Sequence, residues 1–435
     1  MNSMAGRKPT MLWRRLIVAG VLALAVAPAI PLAAMALASP SGQPVWTQSF
    51  VHAVGTSLLL GLGVAGVSLL LGLPMGMIVA LYRFPGRSFL AAAQALPLLL
   101  PSFLPAIGWS NLAAADWFPR LLCPDGFAGC VFVLGLQAVP MVFFATWAAV
   151  LNLTGSQIDA ARLAGGETAV LRHSAGACAA VAVLAALLAG VLSLSDTGTP
   201  LIFGCRAAAV EIRTTFAALY DFDLAGRQCL VLAGLVVLMA APLLIVGLRL
   251  LGAAILARQT RSVTPYHHAM LGQIAPVTLL AVLAIGIGMP TLGLCLPALN
   301  DPMPARAAAK AWSTIGATFT YTFAAGAVAV LAATCLALAA GRDLRLRLSV
   351  LGVLLLLLAM PPALGALGTS YAATAAPAEL DWLLRGRLTV AVVLGLRFLP
   401  VAAVVMMRAV GTLSPSWTDA ARVHGVRRGR FLLRV

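Results

Sequence analysis

Lysine is almost missing from this chain, which holds only Lys8 and Lys310, neither of them after a glycine. A phosphate loop of the pattern G-x-x-x-x-G-K-[ST] therefore cannot be built, and the chain has no nucleotide-hydrolysing site of that kind. Charge of either sign is scarce, at 10% of residues against 61% hydrophobic, far from the balance of a soluble domain. The seven cysteines include no C-x-x-C pair, and His267-His268 has no third ligand nearby, so neither pattern makes a zinc site. No His, Asp and Glu cluster has acid–base or ligand spacing, which leaves no candidate catalytic residue, metal ligand or cofactor. The arginines do not gather with aromatics in one patch, so a net charge of +16 does not read as a nucleic-acid surface.

What the chain does have is apolar runs long enough to cross about 30 Å of hydrocarbon. Ten are predicted, near 12–37, 52–81, 88–112, 130–151, 177–201, 229–255, 271–298, 312–340, 348–375 and 387–409. With the N-terminus inside, 20 of the 29 Lys and Arg fall on the inner face and eight on the outer, with Arg397 inside an apolar run. The positive-inside bias thus predicts a multi-pass, all-α protein with a cytoplasmic N-terminus. Arg14-Arg15 and Ala36-Leu37-Ala38 flank the first run as they would a cleavable signal. Its core is longer than the usual ~7–15 residues, so it reads as an uncleaved anchor. Cys123 and Cys130 flank one outer loop, Cys205 and Cys229 another. Either pair could close a disulfide in an oxidising compartment, and four free thiols fit equally well.

One polar stretch occurs twice. Asp159-Ala160-Ala161-Arg162-Leu163-Ala164-Gly165 returns as Asp419-Ala420-Ala421-Arg422-Val423-His424-Gly425, displaced by 260 residues. The same displacement carries Pro101 onto Pro361, Gly108 onto Gly368, Pro140 onto Pro400 and Leu153 onto Leu413 without a gap. The chain accordingly divides into a first half, 1–260, and a second, 261–435, related as a tandem parallel repeat. In the first half Leu96-Pro97, Pro101 and Pro105 interrupt an apolar run; Pro361-Pro362 do so in the second. Proline breaks helix hydrogen bonding, and membranes tolerate this where neighbours satisfy the freed carbonyls.

Asp-Ala-Ala, three residues and then Gly resembles the EAA loop of ABC-importer permeases, the inner-membrane components of binding-protein-dependent transport systems. The resemblance implies a cytoplasmic element of two short helices, docked into a separate ATPase subunit. Asp159 and Asp419 would take its acidic position, Ala160, Ala161, Ala420 and Ala421 its alanines, and Gly165 and Gly425 its positive-φ turn. The loops would span 155–178 and 414–435. Ala175, Ala177 and Cys178 stand where the family has isoleucine and then Leu-Pro.

Leu81-Tyr82-Arg83-Phe84-Pro85-Gly86-Arg87 and Ser195-Asp196-Thr197-Gly198-Thr199-Pro200 are similar to the iron(III), thiamine and 2-aminoethylphosphonate branch. On that resemblance Pro101, Pro105, Asp196, Gly198 and Pro200 are candidates for the translocation path. The implied setting is a bacterial inner membrane, with two ATPase copies, an extracytoplasmic solute-binding protein and the lipid bilayer as partners. The first half would hold six helices and the second four, so the resemblance also implies a second half lacking two helices. The competing expectation is an ion-coupled secondary carrier, also built from parallel six-helix repeats.

Overall fold

A computed structural model describes residues 11–27, 30, 44–119, 125–256, 264–299, 304–341, 343–375, 377, 379, 386–412, 416–417, 420 and 423–425. Among them the regular structure is helical, and the extended contact is a single bridge between Tyr82 and Tyr266. The first half contributes α1 (Met11–Val26), α2 (Gln48–Leu81), α3 (Arg87–Ala93), α4 (Leu96–Leu99), α5 (Phe103–Ala113), α6 (Gly126–Val150), α7 (Gly155–Ser193), α8 (Gly198–Ile202), α9 (Ala208–Ala217) and α10 (Phe222–Leu256). The second contributes α11 (Ala269–Leu283), α12 (Met289–Leu299), α13 (Pro304–Ala340), α14 (Leu344–Ala359), α15 (Pro362–Ala375) and α16 (Arg387–Thr412). A π-helical turn, Ala284–Gly288, joins α11 to α12, just before Pro290, which has no amide to donate.

Seven of these spans are long and apolar enough to cross a bilayer, and nine if each of two sharply bent pairs counts as one. That is the make-up of a multi-pass membrane protein. The first predicted run, 12–37, begins as α1, 16 residues long, and much of its remainder lies outside the described residues. Helix boundaries differ from expectation where the chain runs on without pause. The helix expected at 177 is the far part of α7, which begins at Gly155, and the one expected at 229 begins at Phe222.

Small residues set the close crossings. In the first half α2 packs on α6 and α7; in the second α13 packs on α16. A Cβ on Gly135 of α6 would come within 2.7 Å of Val67, and one on Gly395 of α16 within 2.7 Å of the Ala325 carbonyl. Both glycines are thus required for contact between neighbouring helices, the usual device where lipid offers no hydrophobic drive for association. The halves meet along α10 and α14, and again where α5 lies against α12. Asn111 Nδ2 donates to the Gly293 carbonyl at 3.1 Å, and buried Gln94 Nε2 donates to that of Leu279 at 3.0 Å. One apolar core runs through the junction, from Phe50, Leu194, Ile212 and Leu232 of the first half to Ala359, Leu364 and Leu367 of the second.

Candidate functional site

Two broken helices frame the site. The α3–α4 segment meets α5 at 90°, across Leu100-Pro101, and α14 meets α15 at 83°, across Met360-Pro361. A residue before proline is pushed out of the helical region, and Leu100 (ψ 132°) and Met360 (ψ 146°) are both extended. Each break leaves a carbonyl without its helical partner, and a side chain reaches across from another helix to satisfy it. Gln137 Nε2 of α6 donates to the Leu100 carbonyl at 2.5 Å and to that of Pro97 at 3.3 Å. Arg397 Nη1 of α16 donates to the Met360 carbonyl at 3.1 Å. Gln137 and Arg397 are 260 residues apart, and so are Leu100 and Met360.

The turn after α7 lies between these breaks and touches both. Ser195 Oγ donates to the Ala359 carbonyl at 3.2 Å, on the second-half side. On the first-half side, Ser102 Oγ donates to Asp196 Oδ1 at 2.5 Å and Thr199 Oγ1 donates to the Ser102 carbonyl at 3.1 Å. Asp196 Oδ2 also accepts from the Thr199 amide at 3.0 Å. The Asp196 carboxylate is therefore both a local turn former and a cross-link between α5 and α8. Gly198 sits where a Cβ would come within 3.0 Å of Ser102 Oγ and Phe103 Cβ. Of the predicted path residues, Pro101, Asp196 and Gly198 thus meet at one elbow. Pro105 is buried in α5 and Pro200 in α8.

Beside this elbow, between the halves, is a cavity of about 310 Å³. Ser195 and Thr197 of the turn, Arg213 and Phe216 of α9, and Pro361 and Ser370 of the second break line it. Its size falls within the ordinary range of small-molecule sites, and its mainly apolar wall with a few polar groups is typical of them.

The first repeated loop is an elbow of another kind. α7 is bent at Gly165 and Gly166, and the left-handed residue is Gly166 (φ 65°, ψ −153°). The expected positive-φ turn at Gly165 is corrected accordingly, because that residue is extended at φ −169°. Of two adjacent glycines the second takes the strained conformation. In the second copy Gly425 itself is left-handed, at φ 65°. Gln157 reaches back to the Thr154 amide at 3.0 Å and starts the helix before the bend. Asp159 and Ala160 are exposed, and Ala161 is partly covered. Ala420 is helical and exposed, whereas Asp419 and Ala421 lie outside the described residues.

Past the bend, Glu167 collects contacts from three segments. Tyr266 Oη and Tyr82 Oη donate to its Oε2 at 2.8 and 3.1 Å. Arg162 lies 3.3 Å from its other oxygen, 3.5 Å from Asp159, and 3.7 Å from the centre of the Tyr266 ring. Backbone bonds from Arg83 to Tyr266 (2.9 Å) and from Tyr266 to Leu81 (3.0 Å) pin the segment after the inter-half linker beside the end of α2. Burial, and then the bonded Tyr266 hydroxyl and the Glu167 carboxylate, push the Tyr82 phenol well above its usual range.

Several groups take roles the sequence did not assign. His268 Nδ1 accepts from the Leu271 amide at 3.2 Å and so caps α11. Arg347, counted with the inner-face cations, is buried, and its guanidinium donates to the Met407 carbonyl of α16. Cys205 lies not beside Cys229 but with Cys130, in one apolar cluster, and these thiols are free. Cys123 lies outside the described residues. Sequence reasoning missed Gln137, although the repeat displacement, applied to polar residues inside helices, pairs it with Arg397. The chain matches no protein-family model, no curated protein and no solved structure.

Proposed function

We propose that the chain is the permease of an ATP-driven ABC importer, a fused two-half membrane subunit worked by two copies of a separate ATPase. One observation carries the proposal. Leu163 is 91% exposed and Val423 84% exposed, 260 residues apart, each close to the left-handed glycine of its loop. A single bare apolar side chain is ordinary, but its recurrence at the same position of both polar loops is what a partner covering both would require. Alanines at 160 and 420 are exposed beside them, which lets such a partner approach closely. Closure of an ATPase dimer would draw the two loops together and rock the halves about the broken helices.

The equivalent hydrogen bonds at Leu100 and Met360 support the two-half reading, as do the equivalent glycines 135 and 395. The remaining assignments follow the resemblance. They are a bacterial inner membrane with the N-terminus inside, a solute-binding protein outside, and ferric iron, thiamine or a phosphonate-like solute as cargo. The test is co-purification with a candidate ABC ATPase subunit co-expressed with this chain. Leu163→Glu with Val423→Glu should cut retention of that subunit at least about tenfold while membrane insertion is unchanged. Undiminished retention overturns the proposal.

A second reading, the ion-coupled carrier, draws on Asp196, a partly buried carboxylate bonded between a helix break and its neighbouring turn. Uptake that continues without ATP and collapses with a proton ionophore would favour it.

A further inference from the structure

We infer that the cavity beside the second break binds a small organic anion, an inference that rests on the permease reading for the role of that anion as cargo. The argument starts from charge. Arg213 is the one charged residue among the lining residues, and no carboxylate lines the cavity with it. Arg213 is exposed, and none of the carboxylates on its own segment, Glu211, Asp221 and Asp223, lies within ion-pair distance of it, the ion pairs among the described residues both being made by Arg162. A guanidinium left unpaired at the mouth of an apolar cavity attracts carboxylate, phosphate or phosphonate, to which it can donate two parallel hydrogen bonds.

The hydroxyls around it are placed to assist. Ser195 and Ser370 spend their protons on the Ala359 and Ala366 carbonyls, whereas the Thr197 hydroxyl has no partner and remains a free donor. The rest of the wall, including Ile212, Phe216, Leu232 and Leu367, is apolar and suits a short hydrocarbon body. Charge of the same sign stands behind the break, where Arg397 holds the Met360 carbonyl and faces a smaller void. This lining discriminates among the three solute classes above. A thiazolium cation meets an unpaired positive charge, and a ferric ion finds no carboxylate or phenolate to ligate it. A phosphonate fits.

Anionic lipid headgroups share that chemistry, so the experiment separates the two sources. The full chain, in phosphatidylcholine nanodiscs, would be titrated calorimetrically with propylphosphonate. Saturable binding is expected, with Arg213→Gln weakening it at least about tenfold and Arg213→Lys less. Ile212→Trp, which fills the cavity, should also weaken it while elution stays monodisperse. Propylamine and thiamine should not bind. Equal affinity for Arg213→Gln, or no heat from folded wild type, overturns the inference. So does an outcome in which, in a second set of nanodiscs containing phosphatidylglycerol, that lipid occupies the cavity and phosphonate cannot displace it. Retention of the ATPase, measured on the same preparations, separates the two readings. Anion binding lost with retention intact removes this inference alone, and the converse removes only the permease reading.

Discussion

The two breaks solve one problem with different side chains. In the first half an amide closes the gap, and Gln137 spreads its bonds over the carbonyls of Leu100 and Pro97. In the second a guanidinium does so, reaching Met360 from Arg397. A neutral amide in a membrane protein is cheap to bury once both donors are used, whereas a guanidinium brings a full charge that must be kept partly hydrated or paired. The first break is thus a closed structural joint. The second is a joint beside an open void, with charge to spare. The comparison teaches that geometry repeats where the backbone demands it, and charge differs where the cavity lies.

The largest expected effect breaks the second joint. Arg397→Leu leaves the Met360 carbonyl unpaired in apolar surroundings, at a cost of about 2–3 kcal/mol. Thermal unfolding in detergent, followed by tryptophan fluorescence, should show a clearly lowered midpoint. Arg397→Gln copies the first half and should recover most of the loss, because an amide can make the same bond. Gln137→Leu should cost about 1–2 kcal/mol, a neutral bond being weaker than a charged one. Equal losses for Arg397→Leu and Arg397→Gln would mean that the guanidinium's charge, and not its bond to Met360, holds the second break.

Much of this arrangement was legible before any coordinates. Pro101 and Pro361 announced the breaks through backbone chemistry, although Pro74, Pro140, Pro242 and Pro400 stand inside continuous helices, so a proline alone does not fix one. Asp196, Gly198 and Pro101 were named separately as path residues, and their meeting at one elbow needed the fold. The partners of the breaks were hidden for a plain reason. A glutamine and an arginine at equivalent positions do not look alike, although both are donors on long stems. The docking of Tyr266 against α2 was not readable either, because a short segment after a linker has no periodicity to betray its register. At the first loop the sequence offered two adjacent glycines, and only the φ angles choose between them.

That choice sets an effect of middle size. Gly166→Ala should destabilise the bend by roughly 1 kcal/mol, since φ is +65° there and a side chain strains it. Gly165→Ala should cost less, because an extended φ of −169° suits any residue, with a 3.0 Å contact to Ala169 Cβ to relieve. In the second loop the ranking moves to Gly425, which is itself left-handed. ATPase retention and uptake should fall in the order Gly166→Ala, then Gly165→Ala. The reverse order would return the turn to the position expected from the repeat.

The smallest effect concerns the cluster that distinguishes the first loop. Tyr82 is wholly buried and donates to Glu167, which keeps Tyr266 and Arg162 when Tyr82→Phe removes that bond. The stability loss should therefore stay near 0.5–1.5 kcal/mol, the net worth of one hydrogen bond. The sharper readout is alkaline absorbance. Because the folded phenol lies above its unfolded value near 10, its stabilising effect is fully present below that pH and is lost progressively as pH rises from there through the higher folded value. At about pH 11 the unfolded phenol is mostly ionised while the folded one is still protonated. Folded wild type and Tyr82→Phe should then show the same tyrosinate absorbance. In denaturant at that pH the wild type should exceed the variant by one of its five tyrosines. A difference of that size already present in the folded proteins would mean that Tyr82 is solvated, and that this cluster does not anchor the first loop.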